Sequence, residues 1–220
     1  MRLIAIDGAC RRNGKPDCTS SGGVFIIADN HFETFSAFEY GSTNQRGELL
    51  ALLKALDYAV MVSDPETYII TDSEYIFNAM TKHWYVGWQN RGWTTASGDT
   101  VKNKDIWLEI AMLANKCVEF GLEIHFYHIK GHCIPFGKVT AENSLAHDPF
   151  GKDLYEKVSK KFDSCLPTKR DVFNAAQELS LRNNGFKLPE NIFKKFVVAN
   201  TIADAIATKV VDAADNIREK

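Results

Sequence analysis

Residues 3–7 read LIAID, an apolar run that ends in a carboxylate, and residues 68–72 repeat the pattern as YIITD. Short apolar runs bounded by polar residues favour buried β-strands, so Asp7 and Asp72 are expected at strand ends. A third carboxylate, Glu48, opens an amphipathic segment whose leucines have helical spacing. Three such acids would repel one another unless cations lay between them, and their hard oxygen atoms favour magnesium or manganese over zinc.

Around these acids the apolar periodicity predicts an α/β chain. Strands are predicted over residues 2–6, 23–28, 32–40, 68–71 and 122–129, and helices over residues 48–61, 73–82, 103–120, 168–182 and 189–216. A block of strands followed by alternating helices and strands is typical of a mixed sheet with helices on its faces.

Composition bounds the class of protein. The chain has 220 residues with 45% hydrophobic residues and a formal net charge of -2, which fits one well-buried domain with an elaboration. No apolar run approaches the roughly 20 residues of a membrane span, and no signal peptide precedes the first strand. We therefore expect a cytoplasmic protein without a membrane partner. Its five cysteines are scattered without a CxxC pair, which predicts reduced thiols.

Several short motifs occur in a fixed order along the chain. They are residues 6–10 (IDGAC), 43–49 (TNQRGEL), 71–75 (TDSEY), 88–93 (WQNRGW), 101–107 (VKNKDIW), 129–132 (IKGH) and 200–207 (NTIADAIA). In order and nearly in spacing, the set resembles the cellular type 1 ribonucleases H. The resemblance implies a ribonuclease H-like fold with a five-stranded mixed sheet. It also implies hydrolysis of the RNA strand of RNA/DNA hybrids, giving 5'-phosphate and 3'-hydroxyl ends.

The resemblance also implies a metal site. Asp7 would bridge two Mg²⁺ ions, Glu48 and Asp72 would hold one of them, and a fourth carboxylate would complete the other; Mn²⁺ is expected to substitute. Two residues compete for the fourth place. Asp148 is followed by Pro149, which disfavours a helical conformation before it, whereas Asp204 lies in an uninterrupted helical pattern. Asp204 is therefore favoured as the fourth ligand.

Further roles follow from the same resemblance. His132 is a candidate for proton transfer or product release on a loop, since the pKa of an ordinary histidine lies near neutral pH. The residues that resemble substrate-binding positions are Asn13, Thr43, Asn44, Gln45, Trp84, Trp88 and Arg91. The expected partner is the hybrid duplex, bound by a monomer without a small-molecule cofactor.

The chain departs from the resembled pattern after His132, since 68 positions separate it from Asn200. We predict a core over residues 1–133, a helical insertion over residues 134–199, and a final helix over residues 200–220. The insertion holds 11 basic residues, and we hypothesise that some of its lysines contact phosphates. Two alternatives stay open: a catalytically silent hybrid-binding module, and a nuclease of the same fold that acts on DNA.

Overall fold

A computed structural model describes the protein over residues 2–29, 31–132, 151–165 and 170–218. Its centre is one five-stranded sheet with the strand order β3-β2-β1-β4-β5. The strands are β1 (Arg2–Arg11), β2 (Thr19–Ala28), β3 (His31–Tyr40), β4 (Glu66–Thr71) and β5 (Glu123–His128). The first three pair antiparallel, while β4 is parallel to both β1 and β5. The predicted mixed sheet is confirmed.

Helices cover both faces of this sheet. They are α1 (Asn44–Val62), α2 (Glu74–Thr81), α3 (Trp84–Asn90), α4 (Lys104–Glu119), α5 (Lys152–Cys165), α6 (Arg170–Asn184) and α7 (Glu190–Arg218). Strand β1 is buried on both sides because its side chains alternate: Ile4 and Ile6 join the core beneath α1 and α4, while Leu3 and Ala5 join the core beneath α7 and α5. Asp7 continues the second series and therefore points toward α7.

Several predicted boundaries differ from the structure. Strand β1 continues past Asp7 because its antiparallel pairing with β2 extends to Arg11 and Thr19. Helix α1 begins four residues before Glu48, since the Thr43 side chain caps it by accepting from the Arg46 amide. Helix α7 is continuous from Glu190, so the predicted boundary between residues 199 and 200 falls inside it. Residues 193–199 extend the same apolar face into the core, which agrees with the helix predicted over residues 189–216.

The prediction of reduced thiols is wrong for one pair of cysteines. Cys10, near the end of β1, forms a disulfide with Cys18, just before β2. The two are eight residues apart in sequence, but the hairpin brings the ends of its strands together. Cys117 is free and buried. The bond closes the loop that carries Asn13.

Gly23 allows α7 to approach the sheet closely beside Asp7, its direct partner in the β1–β2 register. A Cβ atom at Gly23 would lie 2.3 Å from the Ala203 carbonyl oxygen and 2.6 Å from the Ala207 nitrogen. These are backbone atoms of α7, so relief of the clash would move the helix that carries Asp204.

Gly23→Ala should therefore destabilise the protein by about 1–3 kcal/mol, the usual cost of overpacking a core, and should lower activity as well. Urea unfolding followed by circular dichroism measures the stability. Gly87→Ala is the matched control, because a Cβ there meets only the flexible Arg91 side chain, at 3.3 Å or more. Equal effects of the two substitutions would contradict the close-approach argument.

Within the described residues, no helix is both long enough and apolar enough to cross a membrane.

Candidate active site

Asp7 lies at the centre of a group of acidic side chains. Its side chain is buried and accepts a hydrogen bond from the Gly8 amide, at 2.6 Å to Oδ1. Burial raises the pKa of the Asp7 carboxyl well above its ordinary value, and the charges of Asp72, Asp204 and Glu48 raise it further, in that order. The four predicted acids therefore lie within electrostatic range of one another.

Glu48 is held from both sides. Asn44 donates from Nδ2 to Oε1 at 3.1 Å, and the Ser73 hydroxyl donates to Oε2 at 2.6 Å. Burial raises the pKa of Glu48, the hydrogen bond from Ser73 lowers it, and the charge of Asp72 raises it. Two donors fix the orientation of the Glu48 carboxylate before any ligand binds. Asn44, predicted to bind substrate, thus also orients an acid.

Asp72 lies in the turn between β4 and α2, so it has the predicted place after its strand. Burial raises the pKa of its carboxyl, and the nearby His132 has an opposing effect. The Asp72 carbonyl oxygen is 3.1 Å from Nε2 of His128. This side chain is therefore constrained through its backbone as well as by its position after β4.

Asp204 reaches the group from α7, on the far side of β1 from Glu48. His132 Nδ1 lies 3.7 Å from Asp204 Oδ2, and the His132 side chain is 79% exposed. Thr208 donates to Asp204 Oδ1 at 3.5 Å, one turn further along the helix. His132 thus stands at the open side of the acidic group, where a proton could pass to solvent. Asp148 lies outside the described residues.

The chemistry of this group fits a hard divalent cation. In the described ranges, no three His, Cys, Asp or Glu side chains lie close enough together to enclose an ion. The carboxylates nevertheless act on one another electrostatically, and desolvation by burial is the largest cause of the raised pKa of Asp7. Buried carboxylates that repel each other are stabilised by positive charge between them. Oxygen donors alone favour magnesium or manganese.

Four of the predicted substrate-binding residues lie together beside Glu48. The backbone amide of Asn44 donates to Oδ1 of Asn13 at 3.3 Å. This hydrogen bond joins the β1–β2 loop to the start of α1. Gln45 accepts from the Asn103 amide at 3.4 Å, and Thr43 is the N-cap of α1. A set of amides and hydroxyls from two loops therefore borders the acidic group.

The tryptophan-rich segment forms a second surface. Trp84 and Trp88 lie 6.4 Å apart between ring centroids, and Trp84 is 37% exposed. Arg91 donates to the Thr94 carbonyl at 3.4 Å and lies on the surface. Trp93 and Trp107 are buried instead, as expected for core residues beneath a helix. The exposed Trp84 ring remains available for contact with a strand of nucleic acid, whereas Trp88 is half-buried and packs edge-on against Trp107 with ring centroids 5.2 Å apart.

Sequence reasoning missed several residues around the acids. Ser73 follows Asp72 and caps α2, and the high frequency of serine at helix starts could have indicated it. The contact of Asn183 and Asn184 with His128 spans 55 and 56 residues, and no local pattern indicates it.

Among the hypothesised phosphate-binding lysines, Lys194 is not free, since its Nζ contacts both Asp163 oxygens at 2.7 and 2.8 Å.

This sheet order, with carboxylates supplied by β1, α1, the end of β4 and α7, is typical of the ribonuclease H-like class of nucleases. A family model adds the particular assignment: the chain belongs to the RNase H family, whose model matches residues 2–148. The match ends at Asp148 and does not include α7. The matched range therefore includes Asp148 and leaves out Asp204.

Individual relatives agree with this assignment. A protein named Ribonuclease H from Acetivibrio thermocellus is 35% identical over 164 residues, which cover 73% of this chain and 100% of that protein. Another of that name from Oleidesulfovibrio alaskensis is 36% identical over 131 residues, covering 59% and 77%. The solution structure of the PFV RNase H domain matches with a TM-score of 0.50 at 20% identity, covering 68% and 90%. That last likeness concerns the fold alone.

Proposed function

We propose that the protein is an endonuclease that hydrolyses the RNA strand of RNA/DNA hybrids and leaves 5'-phosphate and 3'-hydroxyl ends. Family membership supports the reaction class. One structural observation carries the assignment to this chain: Asp7, Glu48, Asp72 and Asp204 come from four separate parts of the chain and interact electrostatically beside the central strand β1. Residues that served only to pack the core would not include three acids, Asp7, Glu48 and Asp72, whose pKa values are raised by burial and by neighbouring carboxylates.

The proposed mechanism assigns the four carboxylates to two Mg²⁺ ions, with Mn²⁺ as a substitute. Such ions would supply the charge that activates a water molecule and stabilises the leaving oxygen in an in-line displacement. Asp7 would suit the position shared by both ions, because the charges of all three other acids act on it and, among the described residues, only its Oδ1 accepts a hydrogen bond, from the Gly8 amide. Glu48 is oriented by Asn44 and Ser73. This preorganisation lowers the cost of assembling the site.

His132 has a separate role in the proposal. It follows β5 on the loop beside Asp72, its exposed ring lies near Asp204, and its backbone has a φ of 48°. From this place it would carry a proton to the leaving group or help to release the product. The amides of Asn13, Asn44 and Gln45 would recognise sugars and phosphates without reading bases. Trp84, Trp88 and Arg91 would bind the DNA strand.

The test is a hybrid whose RNA and DNA strands carry different end labels, incubated with the protein and Mg²⁺. The RNA strand should be cut internally, the DNA strand should stay intact, and a chelator should stop the reaction. Duplex RNA and duplex DNA of the same sequence are the matched controls. Binding without cleavage would favour the silent binding module, and cutting of the DNA strand would favour the DNA-directed nuclease. Cytoplasmic location and monomeric state stay predictions.

A further inference from the structure

Helix α6 contacts the open edge of the sheet beside the active site. In the described part of the chain, β5 pairs only with β4, so its outer edge lacks a neighbouring strand. At His128, the side-chain amide of Asn184 takes the place of that strand. Its Oδ1 accepts from the His128 backbone nitrogen at 2.7 Å, and its Nδ2 donates to the His128 carbonyl at 2.8 Å. The end of β5 is therefore fixed from the outside.

Asn183 fixes the ring of the same histidine. Its Nδ2 lies 2.6 Å from Nδ1 of His128. An amide nitrogen only donates, so Nδ1 accepts and the ring proton resides on Nε2. That nitrogen lies 3.1 Å from the carbonyl oxygen of Asp72 and donates to it. A continuous path of hydrogen bonds thus runs from α6 through the buried His128 ring to the backbone of an active-site acid.

The end of α6 is itself well anchored. Asn184 also donates to the Ser180 carbonyl at 2.6 Å, one turn earlier in the helix. Phe186, just after the helix, packs edge-on against Tyr127 of β5 with ring centroids 5.5 Å apart. Helix α6 lies beyond the residues matched by the family model, which end at 148. The contact is therefore made by a segment outside the family match, within the predicted insertion.

We propose that the insertion positions Asp72 for metal binding, with Asn183 and Asn184 as positioning residues that act through His128. The proposal rests on the proposed function, since it takes Asp72 as a ligand. Groups that orient a metal ligand from outside usually change metal affinity or activity by about 10–100-fold when they are removed. The insertion thereby contributes to the site through hydrogen bonds.

The test compares Asn183→Leu with the wild-type protein. Leucine has a similar size but no donor, so the His128 ring loses its constraint. We expect the Mg²⁺ dissociation constant, measured by titration calorimetry, to rise about tenfold. The value of kcat should fall while KM for the hybrid stays unchanged. Gln177→Leu is the matched control, because Gln177 is a buried amide of α6 that donates only within the insertion, to the Leu188 carbonyl.

A second pair of variants tests the same path from its other end. His128→Phe removes the donor to Asp72, whereas His128→Gln retains a side-chain donor and should restore part of the Mg²⁺ affinity. The effects of Asn183→Leu and His128→Phe should not add, because both break one path. Unchanged Mg²⁺ affinity in folded Asn183→Leu, or full additivity, would overturn the proposal. Absence of cleavage by the wild-type protein would contradict the proposed function, while the calorimetric comparison would still test the positioning role.

Discussion

Asp7→Asn should abolish cleavage of the hybrid and at the same time stabilise the metal-free protein. The loss of activity should exceed the ~10–100-fold cost of removing a residue that only orients a ligand, because Asp7 lies between the other three acids. A fall on the order of 10³-fold or more is expected. Calorimetry should show weaker binding of Mg²⁺ by the same variant.

The gain in stability follows from the raised pKa of Asp7. A carboxyl whose pKa is higher in the folded state than in the unfolded state costs free energy once the pH exceeds its unfolded value, near 3.8. That cost grows until the pH passes the folded pKa and then stays constant. The stabilisation by asparagine should therefore be present at neutral pH and vanish in strong acid. The sign of this stability change follows from the direction of the Asp7 pKa shift.

Thermal unfolding in the presence of a chelator, at neutral pH and at pH 3, measures this effect. The matched control is Asp57→Asn, since Asp57 is an exposed aspartate of α1, and its stability and cleavage rate should both stay near wild type. Lower stability of metal-free Asp7→Asn at neutral pH would show that the Asp7 carboxylate is favourably solvated or paired. In that case repulsion among the acidic side chains would not support a metal site beside Asp7.

The sheet and most of its helices were predictable because they depend on local periodicity. Residues 3–6 form an apolar run that is buried in β1, and Ile69 and Ile70 are buried in β4. Such short apolar runs carry their own signal. Helix α5 was missed, yet Leu154, Val158 and Phe162 are buried at four-residue spacing, a helical stripe present in the sequence. The signal existed and was obscured by the surrounding lysines.

Other features lay beyond local pattern. The pair Asn183-Asn184 reads as a helix end, and only the tertiary fold shows that it holds His128 across more than 50 residues. The Cys10–Cys18 bond likewise depends on how far the β1–β2 hairpin extends. Asp7, Glu48 and Asp72 were identified because each lies in a short motif with distinctive neighbours. The fourth acid was harder because it depends on where the chain returns after the insertion.

Asp204→Asn should lower the cleavage rate by about 10²-fold or more, because loss of a direct metal ligand should cost at least as much as loss of a residue that only orients a ligand. Asp148→Asn should leave the rate within about twofold. Asp204 is the residue that the fold brings to Asp7. Gly23 lets α7 approach at Ala203, the adjacent residue in the helix. The charge of Asp204 raises the pKa of Asp7, and its carboxylate lies 3.7 Å from His132.

The two variants form their own matched pair, since each replaces one carboxylate by an amide of equal size. Initial rates on the end-labelled hybrid, measured over a range of Mg²⁺ concentrations, distinguish them. A ligand variant should need more Mg²⁺ for half its maximal rate, and Asp148→Asn should keep the wild-type requirement. The opposite result would place Asp148 at the site instead of Asp204. Helix α7 would then support the sheet without contributing a ligand, and the closeness of Asp204 to Asp7 would be only a source of repulsion.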